Sequence, residues 1–300
     1  MRRLHSSPGK GAQLREGPIG ESLIREGVIR EIFRTLEAAM GAQHWWPAGS
    51  AFEVVVGAYL TQNTAWSNVE RAIGNLREAG VLSIAGIREA PLEELERLVR
   101  PAGYFRQKAA RLKRFVEHLD RRHGGSLEAM FATPPEELRE ELLGLNGIGP
   151  ETADSILLYA ASREVFVVDA YTRRIWQRHE LARPGTDFGT AYEEIRAEVE
   201  RALAELQPEA PREGVSAEGD HQQPQPGEKS AGAGHPETFI QISIHAPSEA
   251  SAMARSELSR RYNEFHALLV QTGKHYCLKT TPRCELCPLQ PLLPPGARPR

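Results

Sequence analysis

The chain has 300 residues, 40% hydrophobic and 26% charged, with 26 Gly and 21 Pro, which fits a soluble globular protein of one or two domains with ample core. Its formal net charge of −3 argues against coating nucleic acid by bulk charge, while leaving room for a local basic face. No run approaches the roughly 18 apolar residues of a membrane span, and MRRLHSSPGKGAQLREG at the N-terminus has charge without an apolar centre, so a cytoplasmic protein with no secretory signal is expected.

Residues 1–20 read as a flexible tail, and helical periodicity then dominates from 21 to 206. FEVVVGAYL (52–60) is apolar almost all round, as a buried central helix would be. PLEELERLVRPAG places Leu92, Leu95, Leu98 and Val99 on one face, with Gly103 as its C-cap. QKAARLKRFVEHL repeats the pattern through Ala109, Leu112, Phe115, Val116 and Leu119. Two more helices are predicted over Pro135–Leu143 and Pro150–Ala160, and YEEIRAEVERALAEL gives another through Ile195, Val199, Ala202, Leu203 and Leu206. Only VFVV (165–168) looks extended, and it is too short to found a sheet, so the expected fold class is all-α.

From Gln207 to Glu237 the composition changes: ten of 31 residues are Pro or Gly, and none is Leu, Ile or aromatic. Such a stretch cannot bury enough apolar area to offset its ordering entropy, and 207–252 reads as a low-complexity insertion. Within it TFIQISIHA (238–246) alternates like a short strand, with no function attached to it. Helical pattern returns over 253–276, a cysteine-bearing segment occupies 277–293, and 294–300 is a tail.

Between the helices at 135–143 and 150–160 lies GLNGIG. Gly147 and Gly149 permit positive φ and let a ligand approach the backbone, and Pro150 suits a first helical position. The free N–H groups of that helix start make a natural seat for a phosphate. A tight helix–helix turn accounts for the same residues equally well. About twenty residues on, EVFVVDAYTRRIW runs into Asp169 and another helix. Taken alone, Asp169 reads as that helix's N-cap.

Together, LNGIGPETA (145–153) and VVD (167–169) resemble the helix-hairpin-helix DNA glycosylases of the endonuclease III superfamily, whose signature is L-x-G-x-G-x-x-T-A followed by a V-D that carries the essential aspartate. AFEVVVGAYLTQNT resembles the helix and glutamine-bearing loop near that family's N-terminus, and NEFHALLVQTGKHYC the helix leading to its iron–sulfur cluster. The likeness covers about 30–206 and 253–290. It implies two helical lobes with a DNA-binding cleft between them, the N-terminal helix completing the second lobe. It also implies Asp169 as the catalytic carboxylate, Gln62 filling the gap left in the duplex, and Gly147, Gly149 and Thr152 on the DNA. The implied partner is double-stranded DNA carrying damaged bases, bound by a monomer at the nucleoid.

In the family's bifunctional members the position of Glu151 is a lysine, which attacks the sugar C1′ and forms a Schiff base. A carboxylate cannot, so the resemblance implies a protein that removes a base and stops; an acid favoured in a first helical turn is the plainer account of Glu151. Asp169 would oppose the oxocarbenium-like charge at C1′ and orient a water. That chemistry is easiest when the leaving base is already cationic, as in alkylated purines such as 3-methyladenine. Trp45 and Trp46 before the central helix, and Trp66 after it, would contact an extruded base whose positive charge gains from the ring quadrupoles. Each Trp alone also suits a core. HWWP, LTQNT and GIG followed two residues later by Glu151 resemble the 3-methyladenine glycosylases of the endonuclease III type. Five positive charges after Gly103, with Arg173 and Arg174, suit a phosphate track. Two other readings stay open: a bifunctional glycosylase/lyase for oxidised pyrimidines with a lysine recruited from elsewhere, and a non-catalytic DNA-binding module on the same fold.

The three cysteines, Cys277, Cys284 and Cys287, are spaced C-x6-C-x2-C. The family's [4Fe–4S] loop continues with x5 and a fourth Cys, a position that Leu293 holds here, so the resemblance implies a degenerate cluster loop. The three thiols are its candidate metal ligands, with a non-Cys ligand such as His275 to complete the set. Retention of a cluster is left open by the sequence.

Overall fold

The computed structural model of the chain describes residues 18–183, 185–206 and 248–295. The tail before Pro18, the insertion over 207–247 with its strand-like 238–246, and residues 296–300 lie outside the described residues. Among the described residues the regular elements are all helical. The first lobe comprises α2 (Ala51–Thr61), α3 (Trp66–Glu78), α4 (Ile84–Glu89), α5 (Leu92–Leu98), α6 (Phe105–His123), α7 (Leu127–Phe131), α8 (Pro135–Leu143) and α9 (Pro150–Ser155). The second comprises α1 (Pro18–Met40), α10 (Ala170–Arg178), α11 (Phe188–Ala204) and α13 (Glu257–His275), while a short α12 (Glu249–Ala252) docks between chain segments.

The all-round apolar sequence of α2 makes it the centre of the first lobe: Phe52 through Leu60 are buried, and Ser50 caps the helix by accepting the Glu53 N–H at 3.1 Å. The N-terminal α1 packs on α11 and α13. Arg25–Glu198 (3.2 Å), Arg30–Glu205 (2.9 Å) and Arg201–Glu26 (3.0 Å) stitch α1 to α11. Part-exposed pairs of this kind contribute under about 1 kcal/mol each. The fully buried Ile29, Ile32 and Leu36, at about 1.5–3 kcal/mol apiece, hold the helix in place.

VFVV forms no regular element, and its four residues are buried. Its N–H groups find side chains of α11 in place of a neighbouring strand: Phe166 donates to Glu200 Oε1 (3.0 Å) and Val168 to the Tyr192 hydroxyl (3.4 Å). α5 ends one residue before Val99, and a 3₁₀ turn, Arg100–Ala102, intervenes before Gly103. Gly103 (φ +67°) therefore closes that turn rather than the helix predicted to end on it, and with Tyr104 (φ +46°) reverses the chain into α6. The helix begun at Pro150 widens after Ser155 into a π-type turn, Ile156–Ala160, a local expansion common at functional sites. Ser248–Ala252, at the end of the stretch read as insertion, is a capped helical turn: the Ala250 N–H donates to Ala48 O (3.0 Å) and the Ser248 hydroxyl to Trp46 O (2.8 Å).

Candidate active site

Asp169 starts α10 as its N-cap. Its Oδ1 accepts the Thr172 N–H (2.7 Å) and hydroxyl (2.9 Å), and the residue is 7% exposed. Oδ2 faces His266 Nε2, carried by α13, at 3.7 Å, just beyond hydrogen-bond range. The other ring nitrogen, Nδ1, is in short hydrogen-bond contact with the Tyr159 hydroxyl from the π-type turn. Burial, with the Asp169 charge adding to it, holds the Tyr159 pKa well above its ordinary value, so Tyr159 stays a phenol, whose hydroxyl can donate or accept. In the tautomer whose Nδ1 accepts from that hydroxyl, Nε2 carries the ring proton toward Asp169. Burial pushes the Asp169 carboxyl up, but His266 and the Thr172 donors pull it down by more, and it lies below the ordinary aspartate value.

Glu151, in the first turn of α9, keeps solvent access, yet its carboxyl is crowded by protein. Burial first, and then the Asp169 charge, push it up to about 7 against the pull of His266 and Arg173. Two carboxyl groups with their proton affinities driven apart are the usual basis for dividing acid and base roles. On the far side, Lys274 Nζ lies 5.2 Å from the Trp45 ring centroid. Burial holds its pKa below the ordinary lysine value, while Glu70 and Asp169 draw it upward.

The three tryptophans gather here, with ring centroids 6.1 Å apart for Trp45–Trp46, 6.1 Å for Trp45–Trp66 and 5.2 Å for Trp46–Trp66. Trp45 and Trp46 are each 5% exposed, and the rings meet tilted or edge-on, so they form a packed wall rather than parallel plates. Trp46 lies on Gly57 of α2, where a Cβ would come within 3.1 Å of the indole, and against Tyr159 at 5.1 Å.

The hairpin between α8 and α9 is bound to the end of α2. Gln62 Nε2 donates to Gly147 O (2.8 Å) and Thr152 Oγ1 (3.0 Å), and Arg111 Nη1 donates to Gln62 Oε1 (2.8 Å). Gly147 (φ +85°) leaves space for Arg111, whose Nε would stand 2.1 Å from a Cβ there, so its close approach is to a protein side chain. Gly149, with nothing within 4 Å of where a Cβ would stand, is the glycine that faces open space at the α9 start. Gly147→Ala should therefore displace Arg111 and strain the backbone. A loss of about 1–3 kcal/mol in urea unfolding is expected, and an unchanged midpoint would mean Arg111 does not secure this corner.

The basic run on α6 is divided. Lys108 is 1% exposed, and its Nζ donates to Leu60 O and Ala102 O (both 2.8 Å), closing the end of α2 and not facing solvent. Arg106 and Arg114 are exposed, the latter 3.3 Å from Asn146 Oδ1 of the hairpin. Beyond Asp169, Arg173 lies over the Phe188 ring (4.0 Å), and Arg174 donates to Cys277 O (2.6 Å) and Gly273 O (3.0 Å).

The three cysteines line one cavity with Ile175, Arg178, His179 and Leu293. Cys277 Sγ accepts from Arg178 Nη1 at 3.0 Å. Burial pushes the Cys284 thiol up and the Cys287 thiol up to about 12, so these two are neutral unless a cation joins them. Three convergent thiols beside an arginine suit three corners of an iron–sulfur cluster. His275 is not among the residues lining the cavity; His179 is.

Residues 56–205, half of the chain, match the model of the HhH-GPD superfamily base excision DNA repair proteins. The chain belongs to that superfamily. Over 153 residues it is 49% identical to a Methanocaldococcus jannaschii protein described as a DNA repair glycosylase, covering 50% of this chain and 69% of the relative. It is 30% identical to Thermotoga maritima endonuclease III over 158 residues, 53% of this chain and 66% of the other. The fold is shared with the H. pylori 3-methyladenine DNA glycosylase bound to 1,N6-ethenoadenine (TM-score 0.57, 23% identity, 83% of this chain and 97% of that one). It is equally shared with endonuclease III in a non-covalent DNA complex (TM-score 0.57, 19% identity, 91% and 94%). This HhH-GPD protein is a DNA glycosylase of the endonuclease III type, acting in base excision repair.

The candidate site contains three groups that the sequence did not single out: Tyr159, His266 and Lys274. A histidine inside the otherwise apolar FHALLV was the one visible signal. Its partner Tyr159 lies 107 positions away, a separation no local pattern reveals.

Proposed function

We propose that this glycosylase is monofunctional and releases alkylated, cationic purines such as 3-methyladenine from double-stranded DNA. Position 151 carries the reading: where a Schiff-base enzyme needs an amine, this chain has a carboxyl whose proton affinity is raised beside an ionised Asp169. With Oδ1 of Asp169 held by Thr172, Oδ2 is the oxygen that opposes positive charge growing on C1′. One water within reach of both Oδ2 and His266 Nε2, which are 3.7 Å apart, would donate to the carboxylate and accept from the ring. Its oxygen adds to C1′ and its proton passes to Asp169, while the C1′–N bond breaks and the base leaves with the electron pair. A base that entered cationic leaves neutral, so no strong general acid is needed. The wall that would receive it already accommodates a cation, the Lys274 ammonium over Trp45 near Asp169 and Glu70.

The pH dependence follows from the two carboxyl groups. Asp169, held low, stays ionised from mild acid upward, whereas Glu151 loses its proton around about 7. An ionised Glu151 attracts a cationic base, so kcat/KM for such lesions should rise through neutrality, and the Glu151→Gln variant should be flat over the same range. The stability effect has the opposite sign. Because the folded-state pKa is raised, the favourable contribution is present below the unfolded value and is lost as pH rises toward about 7. A wild-type rate profile that matches the Gln variant would remove Glu151 from the site.

Lys274 favours one other reading, a glycosylase/lyase in which this amine replaces the one missing at 151. Borohydride treatment during turnover discriminates the two. No covalent protein–DNA adduct is expected, and an adduct abolished by Lys274→Ala would establish the lyase.

A further inference from the structure

We infer that His179 is the fourth ligand of an iron–sulfur cluster whose other ligands are Cys277, Cys284 and Cys287. His179 caps the C-terminal end of α10 and is 8% exposed. Its side chain lines the same cavity as the three thiols. Its Nδ1 stands 3.2 Å from the carbonyl oxygen of Leu292. A carbonyl only accepts, so Nδ1 carries the proton and the neutral ring presents its Nε2 lone pair. Anchoring one imidazole nitrogen on a backbone carbonyl is how proteins commonly orient the other toward a metal.

The anchor's position decides which corner the ring would serve. Leu292 immediately precedes Leu293, where the fourth cysteine of a C-x6-C-x2-C-x5-C loop would stand. Leu293 faces the cavity too, but it offers no donor atom. The imidazole is thus fastened to the segment that lacks its thiolate and borders the cavity that the missing thiolate would have lined. His275, the histidine nearest the cysteines in sequence, lies outside that lining. Replacing one thiolate by a neutral imidazole removes one negative charge from the ligand set. Arg178, at 3.0 Å from Cys277 Sγ, adds a positive charge on the same side. Both changes raise the reduction potential relative to an all-cysteine cluster.

The test is anaerobic reconstitution of the full chain with ferrous iron and sulfide, followed by desalting, iron and sulfide analysis, and electron paramagnetic resonance of the reduced protein. Wild type should retain a [4Fe–4S] cluster whose pulsed spectra show coupling to an imidazole nitrogen. His179→Ala should retain three irons or none, and adding Leu293→Cys to that variant should restore the full cluster without the nitrogen coupling. Circular dichroism of each variant separates loss of ligand from loss of fold, and the double variant supplies a folded comparison if the single one unfolds. A His179→Ala protein with the wild-type iron content and unchanged spectra would overturn the assignment. So would a wild type that retains no iron when Leu293→Cys alone does, or failure of every form to retain iron.

Discussion

Asp169→Asn is expected to lower the single-turnover rate of base release by about 10²–10⁴-fold while leaving the fold and DNA binding intact. The side chain caps a helix and, in the proposed mechanism, supplies the catalytic charge, and this substitution separates the two. Oδ1 caps α10 through Thr172, and asparagine caps a helix about as well as aspartate, so the melting temperature should hardly move. What is lost is the negative charge that the proposed mechanism sets against C1′. Asp169→Ala would lose the cap as well, at about 1 kcal/mol, and should be both inactive and less stable. If the Asn variant kept a rate within about tenfold of wild type, Asp169 would be a structural cap and the carboxylate of the reaction would have to be sought elsewhere, with Glu151 first in line.

The largest effect on stability is expected at Arg139. Its guanidinium grips Asp154 through two hydrogen bonds, at 2.7 and 3.1 Å, and Tyr192 donates to the same carboxylate at 2.7 Å, joining α8, α9 and α11. Asp154 is 0% exposed. Arg139→Met leaves that carboxylate buried without its cation, which costs about 3–5 kcal/mol. Burial already outweighs Arg139 and keeps the Asp154 pKa above its ordinary value, and losing the arginine drives it further up. A raised folded-state pKa means stability declines as pH rises. The deficit in urea unfolding should therefore be larger at pH 8 than at pH 5, and Arg139→Met combined with Asp154→Asn should recover much of it. Equal deficits at both pH values would show that the carboxyl does not titrate with the loss.

What the sequence revealed of this molecule was whatever local chemistry encodes. The all-round apolar run at 52–60 read as a buried helix and is one, and Pro150 after a glycine turn suited a first helical position and holds it. Asp169 was legible twice, as a cap and as the aspartate of a motif, and the cap is what α10 displays. Direction was not legible. The charge run on α6 gave no sign that Lys108 turns inward to two carbonyls. Gly147 signalled close approach without saying that Arg111 makes it. Gln62, expected to enter the duplex, is held by two hydrogen bonds to the hairpin and a third from Arg111 of α6, so reaching DNA would require breaking them. Contacts between distant segments, such as Tyr159 with His266 and His179 with Leu292, are products of the tertiary fold.

The most direct measurement uses duplex DNA carrying radiolabelled methyl groups on its purines, with free base and broken strand scored separately in one reaction. Wild-type protein should liberate labelled 3-methyladenine and leave abasic strands uncut until alkali is added. Strand breaks that accumulate in step with base release, without alkali, would contradict hydrolysis by a carboxylate-held water and would identify an attacking amine in its place.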